Sequence, residues 1–160
     1  MNAIDLLVTQ HRELERQFES ILAQAAERRQ PLFEVAADLL ISHVLIEEEL
    51  FYPAVRAKRT EDILLESLEE HLSLKRLVAD LLVLEPEEQS YEPKLHVLEE
   101  QAEHHHKEEE TNLFPKVRKL LSPEELETLG ERMASRQAEL LADNARTRAA
   151  AQTEAAAPLA

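Results

Sequence analysis

Apolar positions recur at spacings of three and four along almost the whole chain, and the breaks between these stripes predict five helices. On the first, Ile4, Leu7, His11, Leu14, Phe18, Ile21 and Ala25 share a face, and Asn2 is placed to cap it. The stripe fades at Glu27-Arg28-Arg29-Gln30. Pro31 then suits the first position of a second helix, where its missing N–H is no loss. Leu32, Val35, Leu39, His43, Ile46, Glu47 and Leu50 form the expected inner face of that helix. Pro53 should break or kink it one to two turns before an end near Arg59. Thr60, followed by Glu61 and Asp62, reads as the cap of a third helix lined by Leu64, Ser67 or Leu68, His71, Leu74, Val78, Leu81 and Leu82. After a polar connection from Glu85 to Pro93, the fourth helix places Leu95, Leu98, Ala102, His105, Glu109 and Asn112 or Leu113 on one face, and Pro115 interrupts it. Ser122-Pro123-Glu124-Glu125 is a capping box that opens a fifth helix reaching Leu141.

These stripes predict an all-α fold, an antiparallel up-down-up-down four-helix bundle with an additional C-terminal helix. The expected divisions are a bundle over residues 1–121, a helical extension over 122–148 and a disordered tail over 149–160, where no amphipathic pattern remains. A single glycine among 160 residues agrees with a helical chain that has few tight turns.

Charge narrows the partners. A formal net charge of -15 argues against nucleic acid, which needs a basic face to displace counterions, and against an anionic membrane surface. With no cysteine there is no thiolate metal site and no disulfide chemistry. The first residues lack a basic and an apolar signal region, and no apolar run approaches membrane-spanning length, so a cytoplasmic protein is expected.

Two stretches carry the chemistry. His43-Val44-Leu45-Ile46-Glu47-Glu48-Glu49-Leu50-Phe51-Tyr52-Pro53 and His105-His106-Lys107-Glu108-Glu109-Glu110-Thr111-Asn112-Leu113-Phe114-Pro115 both read His, Glu at +4 and +5, an aromatic at +9 and Pro at +10. A helix puts i and i+4 on one face, so each copy aims one imidazole and one carboxylate the same way. The repeat extends to the preceding helices: aligning His11 on His71 also matches Leu14 with Leu74, Arg16 with Arg76, Phe18 with Val78 and Ile21 with Leu81. Two copies of one helix pair would therefore bring His11, His43, Glu47, His71, His105 and Glu109 toward a common centre.

One histidine on an apolar stripe is usually a core residue satisfied locally. Six polar groups at related phases would together leave a large unsatisfied cost, about 1–3 kcal/mol each, so a metal-binding centre is the stronger reading and a metal-free interaction domain the weaker. His104/Glu108 and His106/Glu110 share the i, i+4 spacing, but only His105/Glu109 is in phase with Leu98 and Ala102, so His104 and His106 are expected on the flanks or in solvent. His96 is out of phase. Glu48 and Glu110 are expected as exposed charges, Glu15 as at most a distant helper, and Tyr52 and Tyr91 as packing residues.

On these residues the chain resembles the hemerythrin-like, or HHE cation-binding, family over residues from about 3 to 120. The resemblance implies a non-haem di-iron centre bridged by Glu47 and Glu109, with an oxo or hydroxo group as a further bridge, and with His11, His43, His71 and His105 as terminal ligands. It also implies a small ligand, peroxide, dioxygen or nitric oxide, and an oxidative-stress setting. Lys75 stands where oxygen-carrying hemerythrins have a second histidine, and the cysteine-bearing segment of iron–sulfur repair relatives has no match. Stand-alone bacterial hemerythrin-like proteins are the nearer pattern. The expected activity is conversion of a small oxidant, with catalase-like peroxide disproportionation favoured; the alternative is a non-catalytic sensor or carrier of oxygen, nitric oxide or iron. A dinuclear hydrolase is a weaker third reading.

Overall fold

The computed structural model describes residues 1–160. Its helices are α1 (Ala3–Leu22), α2 (Arg29–Ile46), α3 (Tyr52–Val55), α4 (Glu61–Val83), α5 (Tyr91–Glu108), α6 (Phe114–Leu120) and α7 (Pro123–Ala142). The long helices α1, α2, α4 and α5 make an antiparallel four-helix bundle, each packed on two others in the cyclic order α1, α2, α4, α5. Helix α7 lies outside this square, against α1 and α2. No helix is long and apolar enough to cross a membrane.

Local chemistry sets the helix ends. Asn2 Oδ1 accepts the Asp5 N–H at 2.9 Å, and Ser122 and Glu125 each accept the other's backbone N–H, closing the capping box. Thr60 does precede α4, but its hydroxyl is used elsewhere: it accepts from the Ala57 N–H and donates to the Val55 carbonyl at 2.8 Å, fastening the turn before the helix. Pro31 and Pro93 occupy the third position of their helices, still inside the first turn, where N–H groups have no intrahelical acceptor. Gly130 lets the chain's beginning dock on α7, since a Cβ there would stand 2.3 Å from the Met1 carbonyl oxygen.

The prolines do not break their helices as expected. Each follows a π-helical turn, Glu47–Phe51 before Pro53 and Glu109–Leu113 before Pro115, in which the N–H of Tyr52 bonds the Glu47 carbonyl and that of Phe114 the Glu109 carbonyl. Widening the turn relieves the clash between a proline ring and the carbonyl four residues back. The second helix then ends at Val55 rather than near Arg59, with Arg56 already extended.

The expected stripes of α1, α4 and α5 are buried, apart from Ala25 beyond the end of α1 and the partly buried Leu82 near the end of α4. Along the first half of α2 the face is different. Leu32 and Val35 are 39% and 58% exposed, while Phe33, Ala36, Ala37, Leu40 and Ile41 are buried. That helix is apolar on most sides and is covered by α1, α7 and the short helix Ala145–Arg148, so spacing alone could not choose its inner face. The tail, expected to be disordered, runs along the bundle instead. Ala149 is buried, Ala156, Ala157 and Leu159 pack on the core, Arg76 donates to the Thr153 and Glu154 carbonyls, and Arg56 donates to that of Leu159. Its polar anchors are main-chain carbonyls and its apolar ones are mostly alanines, which leave no amphipathic pattern to read.

Candidate metal centre

The two π turns carry the carboxylates. Glu47 and Glu109 sit at their first positions, both fully withdrawn from solvent, and face one another across the bundle. Around them His11 from α1, His43 from α2, His71 from α4 and His105 from α5 are all buried. The Nε2 atom of His11 is 3.3 Å from Glu109 Oε1, and those of His43 and His71 are 3.4 and 3.2 Å from Glu47 Oε1. His105 Nε2 lies 3.8 Å from Glu47 Oε1, 3.7 Å from Glu109 Oε1 and 3.1 Å from His71 Nε2. The structure therefore brings all six sequence-predicted site residues together.

The outward nitrogens explain why the inward ones converge. Each Nδ1 meets an acceptor on a neighbouring helix or turn: Glu110 at 2.7 Å for His11, Gln10 at 2.6 Å for His43, Glu48 at 2.9 Å for His71 and Glu70 at 2.8 Å for His105. A carboxylate only accepts, so Nδ1 carries the proton and Nε2 offers its lone pair inward. Gln10 is set the same way, because its amide nitrogen donates to Gln137 Oε1 and leaves Oε1 for His43. These partners repeat: Gln10 and Glu70 precede His11 and His71, while Glu48 and Glu110 follow Glu47 and Glu109.

The matching family model is the Hemerythrin HHE cation binding domain, over residues 2–117. The chain belongs to this family. Among solved structures, that of a Hemerythrin HHE cation binding domain-containing protein, the Rv2633c homolog from Mycobacterium kansasii, is 26% identical, with a TM-score of 0.80 over 93% of this chain and 99% of the other. No curated protein matches the chain.

The donor set fits what an HHE domain binds. His11 Nε2, His43 Nε2, Glu47 Oε2 and Glu109 Oε1 are buried with no hydrogen-bond partner, and the lone pairs of His71 and His105 face each other at 3.1 Å. Unpaired buried groups cost about 1–3 kcal/mol each, a substantial share of the ~5–15 kcal/mol that a domain retains. Metal cations turn that surplus of acceptors into ligands. Neutral imidazole with carboxylate suits iron, manganese and zinc.

The surrounding charges follow. Burial holds the His43 imidazole well below its ordinary pKa, and nearby His11 adds to this. Burial also opposes protonation of His105, but the carboxylates of Glu109, Glu47 and Glu70 outweigh it and raise the pKa. Burial and the charge of Glu109 raise Glu47. The Tyr52 phenol is pushed well above its usual value by burial and by both glutamates, so it stays an O–H donor; it gives that hydrogen bond to Glu109 Oε2 at 2.9 Å.

Several residues near the HHE centre differ from the sequence expectation. Tyr52 is part of the centre rather than plain packing, with its hydroxyl also 3.2 Å from His71 Nε2. Glu48 is buried, not exposed, because it holds both His71 and the buried ammonium of Lys75 at 2.9 Å. Glu110 is partly buried between His11 and Arg12. His106, expected on the flank or in solvent, is 2% exposed and stacked on His11. The interior arc seen by α5 exceeds the 100° step between neighbours, so His105 turns toward α4 and His106 toward α1. His104 is on the flank, as expected; Glu15 pairs with Arg12, and His96, out of phase in the sequence, is exposed. Tyr91 packs against Phe33. The one sequence signal for Glu48 and Glu110 was their shared +5 position, and the one for His106 was its i, i+4 spacing to Glu110; nothing marked Gln10 or Glu70.

Proposed function

We propose that this chain is a non-haem di-iron protein in which Glu47 and Glu109 bridge two iron ions and His11, His43, His71 and His105 complete their ligand sets. The proposed activity is disproportionation of hydrogen peroxide in the cytoplasm. The observation that carries this reading is the set of four imidazoles whose Nδ1 atoms are all taken from outside, leaving four inward lone pairs around two buried carboxylates.

Bound iron would supply the redox chemistry: one peroxide is reduced to water while another is oxidised to dioxygen, two electrons each way, with no external reductant consumed. The chain's own residues do the rest. Glu48, Glu70, Glu110 and Gln10 fix ring orientation and keep Nδ1 protonated. The Tyr52 hydroxyl holds a proton against Glu109 in a region closed to water. Lys75 neutralises the charge of Glu48 where an oxygen-carrying relative would have another imidazole. Fewer imidazoles leave coordination positions for a small ligand.

Iron-loaded protein should release oxygen from peroxide faster than the same concentration of free iron. Equal rates would reject the enzyme. Reversible change of the ferric absorption on adding and removing oxygen or nitric oxide, without product, would select a sensor or carrier in its place.

A further inference from the structure

Two surface grooves end on one residue. A groove of about 440 Å³ between α1 and α5 is walled by Leu14, Glu15, Phe18 and Glu103, and a neighbouring one of about 300 Å³ includes Arg12 and Lys107. His106 lines both. Its side chain is nevertheless buried, and its Nε2 has no hydrogen-bond partner. One ring nitrogen of His106 lies within 4.8 Å of one from His11 and one from His43. His106 thus separates the grooves from one end of the metal centre.

Two observations place this imidazole beside the centre rather than on it. The four inward histidines each have Nδ1 tied to a carboxylate or amide, whereas no such partner holds His106. Its ring is also nearly parallel to that of His11, 11° apart with centroids at 3.9 Å, and parallel rings cannot both keep one cation in their planes. His11 and His43 cross at 67°, and His71 and His105 at 71°, so those lone pairs can converge. At the repeat position of His106 the first half has Val44, fully buried and apolar.

We propose that His106 is a ligand-binding residue: a small oxidant of the peroxide class enters by the groove between α1 and α5 and accepts a hydrogen bond from His106 Nε2–H at the His11/His43 end of the centre. A neutral imidazole has one N–H to give, and no protein acceptor competes at Nε2. This inference rests on the di-iron reading above.

The test uses full-length ferric protein, azide as the probe, and the variants His106→Phe and His106→Val. Phenylalanine keeps a ring against His11 without a donor. Valine copies Val44, and apo-protein melting curves identify the folded variant. Wild type and variants should hold the same iron content, while azide binds about two- to tenfold more weakly to the variants, as expected for one lost hydrogen bond, and its infrared stretching band shifts. Unchanged azide affinity and stretching frequency would overturn the inference and leave the di-iron reading standing. Loss of iron from the folded variants would overturn it by making His106 a metal ligand. A wild-type protein that holds no iron would remove the di-iron reading itself, and the inference with it.

Discussion

At one end of the centre His11 and His43 are accompanied by Phe114, stacked 6.1 Å from His11, and by the ring of His106. At the other, His71 and His105 are accompanied by Tyr52, stacked 5.4 Å from His71, whose hydroxyl enters the centre. Tyr52 and Phe114 are repeat partners, as are Val44 and His106. The frame is therefore duplicated and the side chains against it are not. Duplication preserves what holds the imidazoles, a carboxylate at +5 of one stretch acting on the histidine of the other pair. The substitutions give each end its own polar group: a phenol on one side, an unpaired imidazole on the other. The two metal positions should then differ chemically although their proposed ligand sets match.

The largest expected effect comes from removing what the ends share. Glu47→Ala or Glu109→Ala should disrupt both metal positions, taking iron content from two per chain to below one and abolishing the gain in melting temperature on metal loading, because metal stabilises only the state that binds it. Normal iron content in both variants would refute the bridging assignment. A smaller effect separates the ends. Glu48→Ala should weaken metal binding about 10- to 100-fold through loss of the His71 support, and should lower stability by about 3–5 kcal/mol because it leaves buried Lys75 unpaired. Glu110→Ala should weaken metal binding similarly with a much smaller stability loss, since its partner Arg12 is half exposed. Iron titration and denaturant melts of the two variants measure both quantities, and equal stability losses would contradict the contrast.

Smaller still is Tyr52→Phe, which makes the two aromatic positions alike. Iron content should hold while the ferric absorption and peroxide turnover change; an identical spectrum would place the phenol outside the centre's electronic surroundings. His104→Ala should change stability by no more than about 0.5 kcal/mol and leave iron content alone, because that side chain is solvent-facing.

The residues that converge on the centre were legible because helix geometry links sequence phase to direction. His11, His71 and the His105-x3-Glu109 pair sit on periodic stripes, and the prolines supplied the register that matched His43-x3-Glu47 to its repeat. The first half of α2 was not legible, since Leu32, Phe33, Val35, Ala36 and Ala37 offer apolar residues on most sides, and the choice among them is made by packing against α1 and α7. His106 was misplaced for a related reason: a phase argument gives direction relative to its own helix, whereas burial depends on how wide an arc the neighbouring helices close. Glu48, Glu70, Glu110 and Gln10 act across helices; Glu48 and Glu110 shared only a +5 position, and no spacing within one helix singled out Glu70 or Gln10. The tail was unreadable because it is held through its own carbonyls and through alanines and Leu159 set at no helical spacing.

In the proposed centre two cations share one buried pocket of imidazole and carboxylate. Metal analysis of the purified protein, taken with its absorption spectrum, tests this most directly. Close to two irons per chain with ferric charge-transfer bands are expected, and a content well under one metal ion per chain would contradict a shared two-cation centre.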